Sequence, residues 1–172
     1  MMSFAEDGPV KSFRADRLVV LIYATREQMG QAAAAAVADE VLRLIAASGR
    51  AVGIFASAPS QNEFLAALVE SSDIDWTRVV GFHLDEYLGM NDQAPQSFRR
   101  FLIDRLFSKV SMGKFFGLPG ESTDPEKECS LYATLLENNP PDFAVLGIGE
   151  NGHLAFIDPP ELREALYYCD AG

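Results

Sequence analysis

The chain has 172 residues and is 48% hydrophobic, which suits one globular domain with a buried core and not a disordered segment. Its formal net charge is −11, with lysine and arginine scattered along the chain, which argues against nucleic acid or an anionic membrane surface as a partner. A small phosphorylated ligand is compatible with this charge, because a few backbone N–H groups can hold one phosphate group.

Two features bear on the cellular compartment. Cys129 and Cys169 form neither a disulfide framework nor a metal motif. Residues 1–8 carry acidic and not basic side chains, and the apolar run at residues 18–24 is too short for an export signal or a membrane span. We therefore expect a cytoplasmic protein.

The first half of the chain alternates strand and helix patterns. The apolar run at residues 18–23 predicts a strand buried on both faces of a parallel sheet. Thr25 and Gln28 form a capping-box pattern, which predicts a helix over residues 26–47 with Gly49 as its stop. A second strand is predicted over residues 51–55, followed by a turn and a helix over residues 61–69.

The second half continues the alternation. The predicted elements are a strand at 79–83, a polar loop at 84–95, a helix from the Ser97 cap to about residue 107, a short strand at 115–117, a helix from the Asp124 cap to about residue 137 and a strand at 143–146. This pattern predicts an α/β domain with three α/β/α layers and a mainly parallel sheet.

Polar clusters follow three of the predicted strands directly, at residues 56–60, 83–87 and 149–158. In parallel sheets the carboxyl ends of the strands meet at one edge, where ligands bind. We therefore expect the three clusters to form one site.

The glycines Gly147, Gly149 and Gly152 match the pattern G-x-G-x-x-G. A dinucleotide site requires that this pattern open a helix, whereas Pro159 and Pro160 follow soon after it here. The interpretation that we prefer is a loop in which Gly149 and Gly152 let the backbone approach a ligand.

The same loop presents His153, and Asp158 lies close enough along the chain to hydrogen-bond its ring. A carboxylate partner would fix the tautomer that a general acid or base needs. Asp85 and Glu86 follow another strand, and partial burial there would raise the pKa of Asp85 and make it a proton acceptor. Glu86 is predicted to contact the substrate, and His83 to be a packed residue.

Other kinds of site have weaker support. The two histidines have no metal-ligand spacing, so no metal is predicted. Ser57 and Ser60 lack a nucleophile elbow. The turn that holds Ser57, Ala58 and Ser60 is predicted to contact a phosphate or hydroxyl group of the substrate.

Two stretches together resemble the glucosamine-6-phosphate deaminase/isomerase family, to which the 6-phosphogluconolactonases are related. They are Phe82-His83-Leu84-Asp85-Glu86-Tyr87 with Pro95-Gln96-Ser97-Phe98 downstream, and LGIGENGHLAF at residues 146–156. The 6-phosphogluconolactonases have a similar glycine–histidine loop but lack the Asp-Glu-Tyr sequence, so the deaminase branch is the closer match.

The resemblance implies a modified Rossmann-like fold, no cofactor, and conversion of glucosamine 6-phosphate or a similar sugar phosphate to a ketose 6-phosphate with release of ammonia. It implies that Asp85 moves a proton between C2 and C1 through an enolamine, and that His153 assists ring opening. Asn151, which we expect among the catalytic residues, stands where the family often has an aspartate, although asparagine also occurs there. Asp158 stands where the family has a glutamate that supports the histidine. Homo-oligomerisation stays open.

Three departures from the family keep alternatives open. First, the turn at residues 56–60 lacks the glycine and threonine usual in the family. Second, Pro159-Pro160 replaces a serine-rich continuation, and Arg163 is poorly spaced to be the family's phosphate-binding arginine. Third, members of the family run well beyond 172 residues. The single domain, residues 1–172, is expected to be incomplete at its C-terminal side relative to the family. The alternatives are a 6-phosphogluconolactonase-like hydrolase and a non-catalytic sugar-phosphate-binding domain of the same fold.

Overall fold

The structure, a computed structural model, describes residues 8–159. The strands are β1 (Lys11–Ala15), β2 (Leu18–Ile22), β3 (Ala51–Phe55), β4 (Val79–His83), β5 (Lys114–Phe116) and β6 (Phe143–Val145). The α-helices are α1 (Arg26–Ser48), α2 (Asn62–Val69), α3 (Phe98–Leu102) and α4 (Pro125–Asn138), and single 3-10 turns lie at Pro59–Gln61 and Trp76–Arg78. The predictions for residues 1–7, Pro160, Arg163 and Cys169 lie outside the described residues.

A four-stranded parallel sheet has the order β5–β4–β3–β6. Phe55 and Phe82 leave the two central strands on opposite faces, since Phe82 pairs with Ile54, the neighbour of Phe55. Phe55 packs edge-on against Phe107, with 5.9 Å between ring centroids, and Phe82 packs against Tyr132 of α4 at 5.6 Å. Helical segments therefore cover both faces, and the predicted α/β architecture is confirmed.

Helix α1 begins and ends where its capping residues predict. The Gln28 N–H donates to Thr25 Oγ1 over 3.2 Å, and the Gln28 side chain accepts from the Thr25 N–H. Gly49 closes the helix in the left-handed region, with φ of 82°. Gly30 lets α2 approach, because a Cβ there would lie 2.7 Å from the backbone carbon of Glu63. The two helices consequently pack closely on one face of the sheet.

The core lies between this helical layer and the central strands. Leu65, Leu68, Leu102 and Leu106 are fully buried there, and burial of each contributes roughly 1.5–3 kcal/mol. The predicted helix after Ser97 is α3, followed by a π-helical turn at Ile103–Phe107, in which the Ser108 N–H donates to the Ile103 carbonyl. No helix within residues 8–159 has the length and apolar character needed to cross a bilayer.

The first apolar run departs from its prediction. Residues 18–22 form β2, which pairs antiparallel with β1 in a separate two-stranded sheet. Asp16, with φ of 53°, forms the turn, and Leu18 and Leu21 are 61% and 48% exposed. An apolar run predicts a strand but does not specify which strand it pairs with. Here β2 pairs with β1, the nearest segment along the chain. The prediction of a strand buried on both faces of the parallel sheet is wrong.

Candidate active site

A cleft of about 460 Å³ lies at the carboxyl edge of the parallel sheet. Its walls are the turn after β3, the loop after β4 and the loop after β6, which are the three segments that the sequence pattern brings to one edge. The volume falls within the range of small-molecule sites, which is roughly 300–1,000 Å³. Of the predicted site residues, those that line the cleft are Ser57, Ala58, Ser60, Asp85, Gly149, His153 and Asp158.

Asp85 is the carboxylate that the β4 loop presents to the cleft. The backbone leaves β4 through a hydrogen bond from the Leu84 N–H to the Phe55 carbonyl, so the loop starts in register with β3. Burial of the half-buried Asp85 side chain, and then the negative charge of Glu86, raise the pKa of Asp85 above its ordinary value. A carboxylate with a raised pKa is a stronger proton acceptor, as the sequence-based hypothesis requires.

His153 is presented by two tight turns after β6. The Gly152 N–H donates to the Gly149 carbonyl over 2.9 Å, and Gly152 has φ of 85°, which favours glycine. The imidazole ring lies directly over Gly149, where a Cβ would come within 2.1 Å of the ring carbon Cε1. A second turn joins Leu154 to Ile157 through two backbone hydrogen bonds. The glycines therefore provide the space for the ring.

Asn151, and not Asp158, contacts the imidazole. Asn151 Oδ1 meets His153 Nδ1 in a hydrogen bond and also accepts from the His153 N–H over 3.2 Å. The Asn151 Nδ2 group donates to Asp158 Oδ1 over 3.1 Å. The predicted direct hydrogen bond between Asp158 and His153 is absent from the described part of the chain, because the Asn151 amide lies between them. Asp158 is therefore linked to the ring through the Asn151 amide.

Three predicted site residues do not line the cleft, namely Glu86, Asn151 and Gly152. Asn151 accepts a hydrogen bond from the His153 N–H, and Gly152 belongs to the turn that precedes His153. The Glu86 carboxylate accepts hydrogen bonds from the first turn of α3. The predicted contact between Glu86 and substrate stays a prediction, and the geometry gives Glu86 a different environment.

Hydrogen bonds from two other segments hold the turn after β3 in place. Ser57 Oγ donates to the Phe98 carbonyl over 3.0 Å, which joins the turn to the start of α3. Arg26 donates to the Pro59 carbonyl over 3.2 Å and forms a bidentate ion pair with Glu63. Within residues 8–159 no lysine or arginine lines the cleft. In the described part of the site, backbone N–H groups and hydroxyls are therefore the donors available to an anionic ligand.

An aromatic cluster at the cleft was not predicted. Tyr87, Phe98 and Phe156 all line the cleft, with 5.0 Å between the ring centroids of Tyr87 and Phe98 and 5.3 Å between those of Tyr87 and Phe156. The three rings come from different segments of the chain, so no sequence spacing signals the cluster. They give one side of the cleft an apolar wall.

His83 is packed below the site, which confirms its prediction. Its side chain is 1% exposed, and Nδ1 accepts from the Leu118 N–H over 3.4 Å. Burial lowers the pKa of His83 to about 4, so the ring is neutral at physiological pH. The proton then resides on Nε2, which is buried and has no hydrogen-bond partner among the described residues.

Comparison with known proteins identifies the family. The model for glucosamine-6-phosphate isomerases/6-phosphogluconolactonase matches residues 24–164, which is most of the chain. The chain belongs to this family. Its membership agrees with the Asp85 and His153 segments, which carried the resemblance in the sequence.

Several relatives are similar over part of their length. The chain is 41% identical to the glucosamine-6-phosphate deaminase of Streptococcus gordonii over 123 residues, which cover 72% of this chain and 52% of that protein. It is 42% identical to the glucosamine-6-phosphate deaminase of Listeria welshimeri over 100 residues, which cover 58% of this chain and 43% of that protein. The chain thus spans about half the length of the curated relatives that it matches.

Solved structures agree in fold. A monomeric glucosamine-6-phosphate deaminase superposes with a TM-score of 0.67 and 27% identity, covering 76% of this chain and 55% of its own. A 6-phosphogluconolactonase from Shewanella baltica superposes with a TM-score of 0.72 and 27% identity, covering 83% of this chain and 63% of its own. Both branches of the family therefore share this architecture.

Proposed function

We propose that the cleft converts an amino-sugar 6-phosphate, with glucosamine 6-phosphate as the first candidate, to a ketose 6-phosphate with release of ammonia. The observation that carries this proposal is the position of Asp85, a half-buried carboxylate with a raised pKa that lines the same cleft as His153. The likeness to curated deaminases at about 41% identity supports the choice of substrate class.

The proposed chemistry needs two proton carriers. Asp85 removes the proton from C2 of the open-chain substrate while the C1 carbonyl oxygen takes up a proton, which gives an enolamine. Asp85 then delivers its proton to C1, and the nitrogen lone pair forms a C2=N iminium. Water then replaces the nitrogen on C2, and ammonia leaves. His153, which Asn151 holds through Nδ1, is placed to move a proton during opening of the sugar ring. An imidazole held in one orientation by a hydrogen bond to one ring nitrogen is suited to this task.

Phosphate recognition in this proposal uses the turn after β3. Ser60 and the backbone around the 3-10 turn at Pro59–Gln61 border the cleft and offer a hydroxyl and N–H groups. Ser57 has its hydroxyl proton engaged with the Phe98 carbonyl, so it is left with acceptor capacity only. A cytoplasmic location stays a prediction that rests on the number and spacing of the cysteines.

A lactonase is the second candidate, because a 6-phosphogluconolactonase superposes as well as a deaminase does. Hydrolysis of a lactone requires proton transfer to and from water and an alkoxide leaving group, and it requires no removal of a proton from carbon. The two functions can therefore be separated by their products.

The test is to incubate the purified chain with glucosamine 6-phosphate and, in parallel, with 6-phosphogluconolactone. Ammonia release from the first substrate supports the deaminase. Acid release from the second without ammonia from the first supports the lactonase. Saturable binding of glucosamine 6-phosphate with no turnover of either substrate by the folded chain would support a binding domain and contradict both enzymatic functions.

A further inference from the structure

The carboxylate of Glu86 turns away from the cleft and receives a set of hydrogen bonds. Ser97 Oγ donates to Oε2 over 2.7 Å, and the Arg99 N–H donates to the same oxygen over 3.0 Å. The Phe98 N–H donates to Oε1 over 3.2 Å, as does the Tyr87 N–H over 3.1 Å. A carboxylate with this many donors is held in one orientation.

These bonds complete the N-terminus of α3. The first three N–H groups of a helix have no partner within it, and here they belong to Phe98, Arg99 and Arg100. Glu86 accepts from the first two, and Ser97 Oγ accepts from the third over 3.1 Å. Glu86 is therefore a distant cap that closes the loop between β4 and α3, with ten residues between it and Ser97.

The Glu86 carboxylate and its hydrogen bonds, which we call the Glu86 anchor, connect to three parts of the cleft wall. Glu86 is bonded covalently to Asp85 on one side and to Tyr87 on the other. Phe98, which Glu86 holds through its N–H, contributes a ring to the cleft and a carbonyl to the Ser57 hydroxyl. One carboxylate thus fixes the candidate base and two rings of the aromatic wall.

From this geometry we infer that Glu86 is a positioning residue for Asp85: its capped carboxylate fixes the backbone that carries the base and keeps a negative charge beside it. The inference rests on the proposed function in one respect, the role of Asp85 as the base. The two parts, position and charge, can be separated by substitution.

The directions of the pKa shifts agree with the second part of this inference, that Glu86 keeps a negative charge beside Asp85. Burial works to raise the pKa of Glu86, but the hydrogen bonds from Arg99, Ser97, Phe98 and Tyr87 outweigh it and lower that pKa, so Glu86 is ionised at neutral pH. Its charge adds to the effect of burial on Asp85.

No cation is in a position to cancel that charge by a direct ion pair in the described part of the chain. Helix α3 carries two cations. Arg99 pairs with Glu121 over 2.7 Å and faces Asp92 at 3.9 Å, and it meets Glu86 through its backbone N–H only. Arg100 pairs with Asp104 over 3.4 Å and donates to the Gln93 carbonyl. His83 on β4 is neutral at physiological pH. The remaining titratable groups that line the cleft are Tyr87 on the β4 loop and His153 and Asp158 on the β6 loop.

The test follows the Asp85 carboxyl directly, by NMR titration of the chain labelled with ¹³C at the aspartate carboxyl carbon and assigned with Asp85→Asn. In Glu86→Gln the titration midpoint of Asp85 is expected to fall toward its ordinary value. Asp73→Asn removes one exposed negative charge at the opposite end of β4 and is the control, in which the midpoint is expected to stay where it is. An equal midpoint in Glu86→Gln and the wild type would overturn the charged half.

Ser97→Ala tests position without removing the charge. Faster hydrogen exchange at the Phe98 and Arg99 amides is expected, while the Asp85 midpoint stays raised. Where the chain turns over glucosamine 6-phosphate, kcat is expected to fall about tenfold with KM little changed, because misplacement of a reacting group acts on the chemical step. Unchanged exchange and unchanged kcat would overturn the positioning half.

The titration and the exchange experiments need no substrate. Absence of ammonia release would therefore contradict the proposed function and leave the test of Glu86 intact. If Glu86→Gln does not fold, the exchange and kcat of Ser97→Ala still decide whether the anchor positions Asp85.

Discussion

The two loops that carry Asp85 and His153 are held in different ways. The β4 loop is bonded through Glu86 to a helix that begins twelve residues further along the chain. The β6 loop is held within itself, by the turns around Gly149 and by Asn151, and its neighbour Ile148 is 75% exposed. Tertiary contacts therefore set the position of Asp85, whereas local backbone geometry sets the position of His153.

This difference predicts different consequences of substitution. Changes at the end of β4 should act on the stability of the whole domain and on the pKa values of buried groups. Changes in the β6 loop should act on activity and leave the fold nearly intact, since few of its side chains are buried.

The largest expected effect on stability comes from His83 beneath the β4 loop. The pKa of His83 is lowered to about 4 from 6.5. The unfolded chain therefore binds a proton between these values that the folded chain does not. His83 weakens the folded state as pH falls from about 6.5 to 4, by about 3 kcal/mol over that range. Urea unfolding across this range should show that decline in the wild type and a smaller one in His83→Asn. Equal pH dependence in both would contradict the buried, neutral histidine.

Gly149→Ala should displace the His153 ring from its position in the β6 loop. A Cβ at Gly149 would lie 2.1 Å from the imidazole Cε1, so the ring must move. A displacement of about 1 Å costs on the order of 10²-fold in rate, so kcat should fall by about that factor while the thermal midpoint changes little. Gly8→Ala, which meets nothing within 4 Å, is the matched control. A wild-type kcat in Gly149→Ala would show that the ring position is unimportant.

Asn151→Ala should have a smaller effect, of about tenfold in kcat, because it removes the partner of His153 Nδ1 but leaves the ring in place. Asn151→Asp keeps the acceptor oxygen and should restore most of the rate. The measurement is kcat for the two variants side by side. Equal losses in both would mean that Asn151 does not orient the imidazole.

Asp85→Asn should raise stability modestly at neutral pH. The raised pKa of Asp85 means that the folded state favours the protonated form. That contribution is complete below the ordinary pKa and is lost as pH rises through the folded-state value, so the ionised carboxylate weakens the fold at pH 7. Thermal midpoints of the variant and the wild type should differ at pH 7 and converge in acid. Asp73→Asn is the control. A lower midpoint for Asp85→Asn at pH 7 would contradict this sign.

Much of the fold follows from local patterns. Thr25, Gln28 and Gly49 mark both ends of α1 correctly, and Asp124 marks the start of α4, because caps act within a few residues of the backbone groups that they satisfy. The edge location of the cleft follows from strand alternation alone.

The partner of β2 and the π-helical turn at Ile103–Phe107 depend on tertiary context and have no local signature. At the site, the hydrogen-bond partners likewise depend on tertiary contacts that the sequence pattern does not specify. Asp158 was expected to reach the imidazole, but the amide of Asn151 fits between them. The contact of Glu86 with substrate stays a prediction, and the structure adds hydrogen bonds that the sequence pattern does not predict, from the N–H groups at the start of α3 to the Glu86 carboxylate.

The most direct test of the central claim is the rate of ammonia release from glucosamine 6-phosphate by the wild-type chain and by Asp85→Asn. Loss of a general base typically costs about 10²–10⁴-fold in rate. The proposed function predicts ammonia release by the wild type and a loss within that range in Asp85→Asn, with the fold retained. An unchanged rate in the variant, or no ammonia from the folded wild-type chain, would contradict it.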